Sequence, residues 1–92
     1  MIKEFTLGAI KWTIKNDESK LDELNLLGLC EFPKCLISIY ADGIDENLVE
    51  QTIYHEVVHA ILESMGENTL SENDKFVQNF ALLLHQFETT KK

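Results

Sequence analysis

The chain contains no arginine: all eight basic residues are lysines, spread from Lys3 to Lys92, against sixteen acids, and the formal net charge is −8. Without the guanidinium fork that reads phosphates and base edges, and with acid in excess, nucleic acid and anionic membrane surfaces are poor partners. The charge would attract a neutral or basic polypeptide instead. Cysteine is scarce: Cys30 and Cys35 form a single C-x4-C pair with no second pair and no flanking histidine, which excludes a disulfide scaffold and is a weak zinc signal. They read as buried or turn-flanking thiols. One proline and four glycines in 92 residues leave no linker, repeat or low-complexity segment. Long apolar runs are missing too. Met1 to Trp12 carries Lys3, Glu4 and Lys11 and has no stretch of signal-peptide length, and the longest uncharged segment, Phe76 to Phe87, falls short of the roughly 18 residues of a membrane span. The expectation is a cytoplasmic protein.

What is present is ordinary globular material, 45% hydrophobic and 26% charged, in a length that predicts one domain over residues 1–92. Such a domain buries only about 60 to 70% of the surface its unfolded chain exposes, so a bound metal would add useful stability. Period-two alternation over Ile2–Leu7 and Ala9–Lys15 around Gly8 predicts an opening hairpin. Leu21–Leu27 fits a helical turn or an irregular segment equally. Leu29–Phe32 and Cys35–Tyr40, flanking Pro33-Lys34, predict a second hairpin. Asp45 is placed to cap a helix over Glu46–Met65 that stops at Gly66. A second helix is expected to open at Ser71, where Ser71-Glu72-Asn73-Asp74 has the form of a capping box. It continues through the apolar stripe Phe76, Phe80, Leu83, Leu84, Phe87.

The first of these helices carries His55-Glu56-Val57-Val58-His59, an H-E-x-x-H motif. Residues four apart on a helix have Cβ atoms about 5 to 6 Å apart, so both imidazoles can reach one ion. Glu56, rotated by about 100°, can face a water beside that ion. Ile53, Val57, Val58, Ala60, Ile61 and Leu62 surround the motif, and a helix apolar on nearly every side is buried. Two histidines and a glutamate in such a helix need polar partners, and a metal would supply them. Catalytic zinc requires a third protein ligand and an open fourth position. Glu63 lies about 12 Å along the axis from His55, which suits a solvated or outer-sphere acid. His85 is about 20 Å along the second helix from Glu72 and reads as non-ligating. Glu72, in the expected first turn of that helix, is the third-ligand candidate, its structural alternative being an acid favourable to the helix dipole. Tyr40 and Tyr54 are possible oxyanion donors, although an aromatic beside a core helix is more often packing.

These residues resemble the gluzincin group of zinc metallopeptidases, in which the two histidines of H-E-x-x-H and a glutamate from a following helix hold zinc. Cys35–Tyr40, Thr52–Ala60 and Glu72–Ala81 are similar to the minimal core of ImmA/IrrE-type and SprT-like proteins and of the minigluzincins, small proteins often carried by phages. The ImmA/IrrE-like E-A-N-x-F-A segment is matched at Glu72 and Phe76, but Asn73 and Asp74 stand where that pattern has Ala and Asn. Leu62 and Met65 occupy the positions of the metzincin glycine and third histidine, which excludes that group. The resemblance implies an α+β fold: a zincin-like core with an antiparallel or mixed sheet of three to four strands packed on the H-E-x-x-H helix and the glutamate helix. It also implies Zn²⁺ on His55, His59 and Glu72, and peptide hydrolysis with Glu56 as general base. The alternative is a catalytically silent zinc-binding module that docks on a protein partner. A strand edge at Cys35–Tyr40 is a candidate for pairing with an extended peptide.

Overall fold

The computed structural model describes residues 1–92 and is an α+β domain with a four-stranded mixed sheet. The opening hairpin forms as its alternation predicts. β1 (Glu4–Leu7) pairs antiparallel with β2 (Ile10–Asn16), in the register Phe5 to Trp12. The turn residues Gly8 and Ala9 both have positive φ, the twist that two-residue hairpin loops favour. The undecided segment resolves into α1 (Glu18–Leu24). Asp17 caps it by accepting the Lys20 N–H, and left-handed Asn25 ends it. Lys20 then pairs with Glu31, tying α1 to the sheet.

The second hairpin also forms. β3 (Gly28–Glu31) and β4 (Leu36–Ile39) pair antiparallel, joined by a single 3-10 turn over Phe32–Lys34 and left-handed Cys35. β4 pairs on its other side with β2 in parallel, Ile14 to Ile37, so the strand order is β1-β2-β4-β3. The segment expected to offer a free edge is therefore the interior of the sheet. Ile37, Ser38 and Ile39 are fully buried, and the edge on this side belongs to β3.

α2 (Glu46–Ser64) begins where Asp45 accepts the N–H groups of Asn47 and Leu48. It closes in a Schellman arrangement, Glu67 N–H to Leu62 O and Gly66 N–H to Glu63 O. It forms the middle layer of the molecule, and no residue from Glu50 to Glu63 is fully exposed. One side, Val49, Ile53 and Ala60, packs on Trp12, Ile14, Ile37 and Ile39 of the sheet. The other side, Val58 and Leu62, packs on Val77 and Ala81 of α4 (Asp74–Thr90). At about 1.5 to 3 kcal/mol for each large apolar side chain removed from water, these two contacts outweigh any local propensity in fixing the helix. No helix is long and apolar enough to cross a membrane.

The start of the last helix differs from expectation. Ser71 ends a one-turn helix, α3 (Asn68–Ser71), and the cap of α4 is Asn73, whose side chain accepts the Phe76 N–H at 3.0 Å. Ser71 is 6% exposed and its hydroxyl points inward, so it is not available as a cap. Glu72 consequently lies outside the helix, at the C-cap of α3, and Asp74 takes the first helical position.

Candidate metal centre

α2 places His55 and His59 on one face, one turn apart, with ring centroids separated by 5.0 Å. Each ring is held from behind by a residue beyond the motif. His55 Nδ1 lies 2.9 Å from Gln78 Oε1, on α4. That oxygen can only accept, so His55 donates to it through Nδ1–H. His59 Nδ1 lies 2.8 Å from Ser71 Oγ, and Ser71 donates its one hydroxyl proton to Glu63 Oε2 at 3.3 Å. The Ser71 oxygen is then the acceptor for His59 Nδ1–H. In the neutral form each imidazole keeps a lone pair on Nε2, and no hydrogen bond within the chain uses either of these nitrogens. Metal-binding histidines are oriented in this manner by partners on the other ring nitrogen.

Charge and burial favour the neutral form at His59. Burial lowers its pKa below the ordinary histidine value and the neighbouring His55 lowers it further, while Glu63 and Asp74 pull in the opposite direction. Glu56 is 7% exposed, and burial, helped by the charge of Glu63, pushes its carboxyl up to about 7. A carboxylic group so poised can take up and give back a proton near neutral pH. Its position depends on Gly28. A Cβ there would come within 2.8 Å of Thr52 Cγ2 and 2.9 Å of Glu56 Oε2, so only glycine lets β3 approach α2 at this point.

These side chains floor a trough with two lobes, about 380 Å³ and about 400 Å³. The lobes share Leu26, Gly28, His55 and Glu56, and the trough follows the chain from Asn25 to Cys30. Cys30 lines the second lobe with His59 and Glu63. Burial first, then the charges of Glu63 and Glu56, push its thiol up to about 12, so it remains protonated. Both cysteines are free, Cys30 within β3 and Cys35 beside the 3-10 turn.

The expected members of the site are therefore not all gathered. His55, Glu56 and His59 meet, but Glu72 and Asp74 are both exposed at the α3–α4 turn and neither lines the trough. No third His, Cys, Asp or Glu converges on one point with the two imidazoles. Of the two acids at this turn, Asp74 is the one whose charge acts on His59. It sits one helical turn before Gln78, on the face of α4 that meets the His55 side of α2. His85 is buried elsewhere, with Nε2 2.9 Å from Glu50 and its ring edge-on to Tyr54. Neither Tyr40 nor Tyr54 lines the trough.

Ser71, Gln78 and Gly28 are absent from the sequence-based site, and Asp74, with Asn73, figures in the sequence only as a residue that could orient a ligand through a hydrogen bond or serve the capping box. Ser71 and Asp74 are masked by their resemblance to a capping box, whereas the four-residue spacing from Asp74 to Gln78 is a signal that could have marked a polar face on this helix. Comparisons with protein-family models, with curated proteins and with solved structures returned no match.

Proposed function

We propose that the chain is a zinc-dependent metallopeptidase acting on an extended polypeptide. The observation that carries this reading is the pair of imidazoles with both Nδ1 atoms engaged and both Nε2 atoms free on one face, beside a buried glutamate. His55 and His59 would hold the ion, and the third donor would come from the turn entering α4. There Asp74 is favoured over the expected Glu72 by its electrostatic reach to His59. Bound zinc supplies a Lewis acid that polarises a carbonyl and makes a water acidic near neutral pH. Glu56 would accept a proton from water at its carboxylate and return it to the leaving amine. Ser71 and Glu63 hold the His59 tautomer, and Gln78 holds that of His55. The substrate backbone runs along β3, the strand that borders the trough.

A second reading, a zinc-binding interaction module without turnover, uses the same pair of imidazoles and differs only in the absence of cleavage. Native mass spectrometry of the purified protein should give one zinc per chain, lost in His55→Ala and His59→Ala and weakened more by Asp74→Asn than by Glu72→Ala. Glu56→Gln should keep the zinc and lose cleavage of a peptide library. Zinc binding with no cleavage by the native chain supports the second reading, and no zinc in any variant removes both.

A further inference from the structure

The two lobes of the trough differ in charge. Leu27, Leu48, Gln51, Thr52 and Gln78 complete the first, and none of them is ionisable. Cys30, Ser71 and Glu63 complete the second, with Leu26 and Leu29 beside them. Apart from Glu56, which both lobes share, Glu63 is the only acid in either.

Glu63 is half-buried on α2, one turn beyond His59, and its carboxylate is only half used. Oε2 accepts the Ser71 hydroxyl at 3.3 Å, whereas Oε1 has no hydrogen-bond donor and no lysine pairs with the group. Lys20 and Lys34 are both engaged by Glu31, the neighbour of Cys30 in β3. The charge of Glu63 is felt around the lobe, at Cys30, Glu56 and His59. Beside it Glu56, only 7% exposed, turns into the same lobe and makes no hydrogen bond within the chain. A half-enclosed carboxylate with no cation against it is incomplete, because desolvation costs it energy that a partner charge would restore. A metal on the two imidazoles does not supply that partner, since Glu63 lies about 6 Å along the helix axis beyond His59 and about 12 Å beyond His55.

We propose that the second lobe is the subsite for a lysine or arginine side chain of the substrate and that the first takes an uncharged side chain, so the polypeptide is recognised by a cation on one side of the bond to be cut. This rests on the reading of the trough as a peptidase site. Leu26 and Leu29 give the lobe an apolar wall for the methylene stem of such a side chain, and Glu63 Oε1 is the free acceptor for its charged tip. A strand laid along β3 from Gly28 to Cys30 passes both lobes, which lets side chains on either side of Glu56 be read separately. The net charge of −8 attracts basic polypeptides in general, and Glu63 turns that attraction into a requirement at one position.

The test uses capped peptides of otherwise uncharged sequence that carry a single lysine or, at the same place, glutamine. Fluorescence anisotropy with zinc-loaded Glu56→Gln protein should show the lysine peptide binding at least about tenfold more tightly. Adding Glu63→Gln, which keeps an oxygen for Ser71 but loses the charge, should bring the two peptides to within about twofold of each other. Adding Glu63→Asp should restore the preference, and adding Glu72→Gln, which removes a charge outside the trough, should leave it intact. Each comparison is a ratio within one protein, so a general loss of affinity or metal cancels. With the native chain, mass spectrometry of the products should place every cut on the same side of the lysine. A preference that survives Glu63→Gln, one that falls equally in Glu72→Gln, cuts on both sides of the lysine, or no binding of either peptide would each overturn the proposal. Lysine-selective, Glu63-dependent binding without cleavage by the native chain would retire the peptidase reading and keep the cation subsite, whereas cleavage without selectivity would do the reverse.

Discussion

Glu56 gives the sharpest test of how the site is built, because its environment makes a signed demand on stability. A glutamate in an unfolded chain ionises near 4.5, while burial and the charge of Glu63 hold the folded group at about 7. Below the lower value the group is protonated in both states and costs nothing. Between the two, the folded chain keeps a proton that the unfolded chain has released, so stability falls as pH rises and the loss is complete above about 7. At roughly 1.4 kcal/mol per pH unit, the gap amounts to about 3 kcal/mol. Glu56→Gln replaces the carboxyl with a neutral group of similar shape at every pH. With metal removed by chelator, urea unfolding of the two proteins should give nearly equal stabilities near pH 4.5. The variant should gain steadily as pH rises, to about 3 kcal/mol at pH 8. Restoring zinc should shrink that difference, since a cation beside Glu56 favours its ionised form. A stability difference that stays constant across pH, or a Glu56→Gln protein less stable than the native one at pH 8, would refute the account of a desolvated carboxyl.

Three further outcomes follow from particular contacts. Ser38 Oγ is fully buried with no hydrogen-bond partner, so Ser38→Ala should raise stability by up to about 1 kcal/mol in denaturant titration. Gly28→Ala drives a methyl group into Thr52 and the Glu56 carboxyl and should cost about 1 to 3 kcal/mol by thermal unfolding, with peptide cleavage reduced along with it. Ser71→Ala releases His59 Nδ1 and should weaken zinc binding about 10- to 100-fold in competition with a chromophoric chelator, while Glu72→Gln leaves it nearly unchanged.

Much of the fold is legible in local pattern. The alternation around Gly8, the Asp45 cap and the stop at Gly66 all correspond to elements of the structure, because hairpin turns and helix ends are set by a few adjacent residues. The parallel pairing of β2 with β4 is not legible, since Thr13 and Leu36 are register partners in a strand pairing between segments far apart in the chain and no local signal reports it. In the site, the spacing of His55 and His59 shows that they share a face, and the structure bears this out. Their partners escape for a different reason. Ser71 and Asp74 satisfy the pattern of a helix start, and a pattern cannot distinguish a hydroxyl that caps a helix from one drawn inward by an imidazole three turns of chain earlier. Two residues of slippage in the start of α4, from Ser71 to Asn73 as cap, are enough to move Glu72 off the helix and Asp74 from its third position to its first.

The central position of β4 also sets an order of events during synthesis. The β1–β2 hairpin is a two-stranded ribbon, marginal by itself in water, and the strand that completes its inner side does not emerge until Ile39 has been made. α2 can dock only after that, and its histidines gain their two ring partners later still, when Ser71 and Gln78 have left the ribosome. A nascent chain therefore carries the whole H-E-x-x-H motif for some twenty residues of elongation before both ring partners have been made, and it acquires an oriented pair only as the last helix closes the domain.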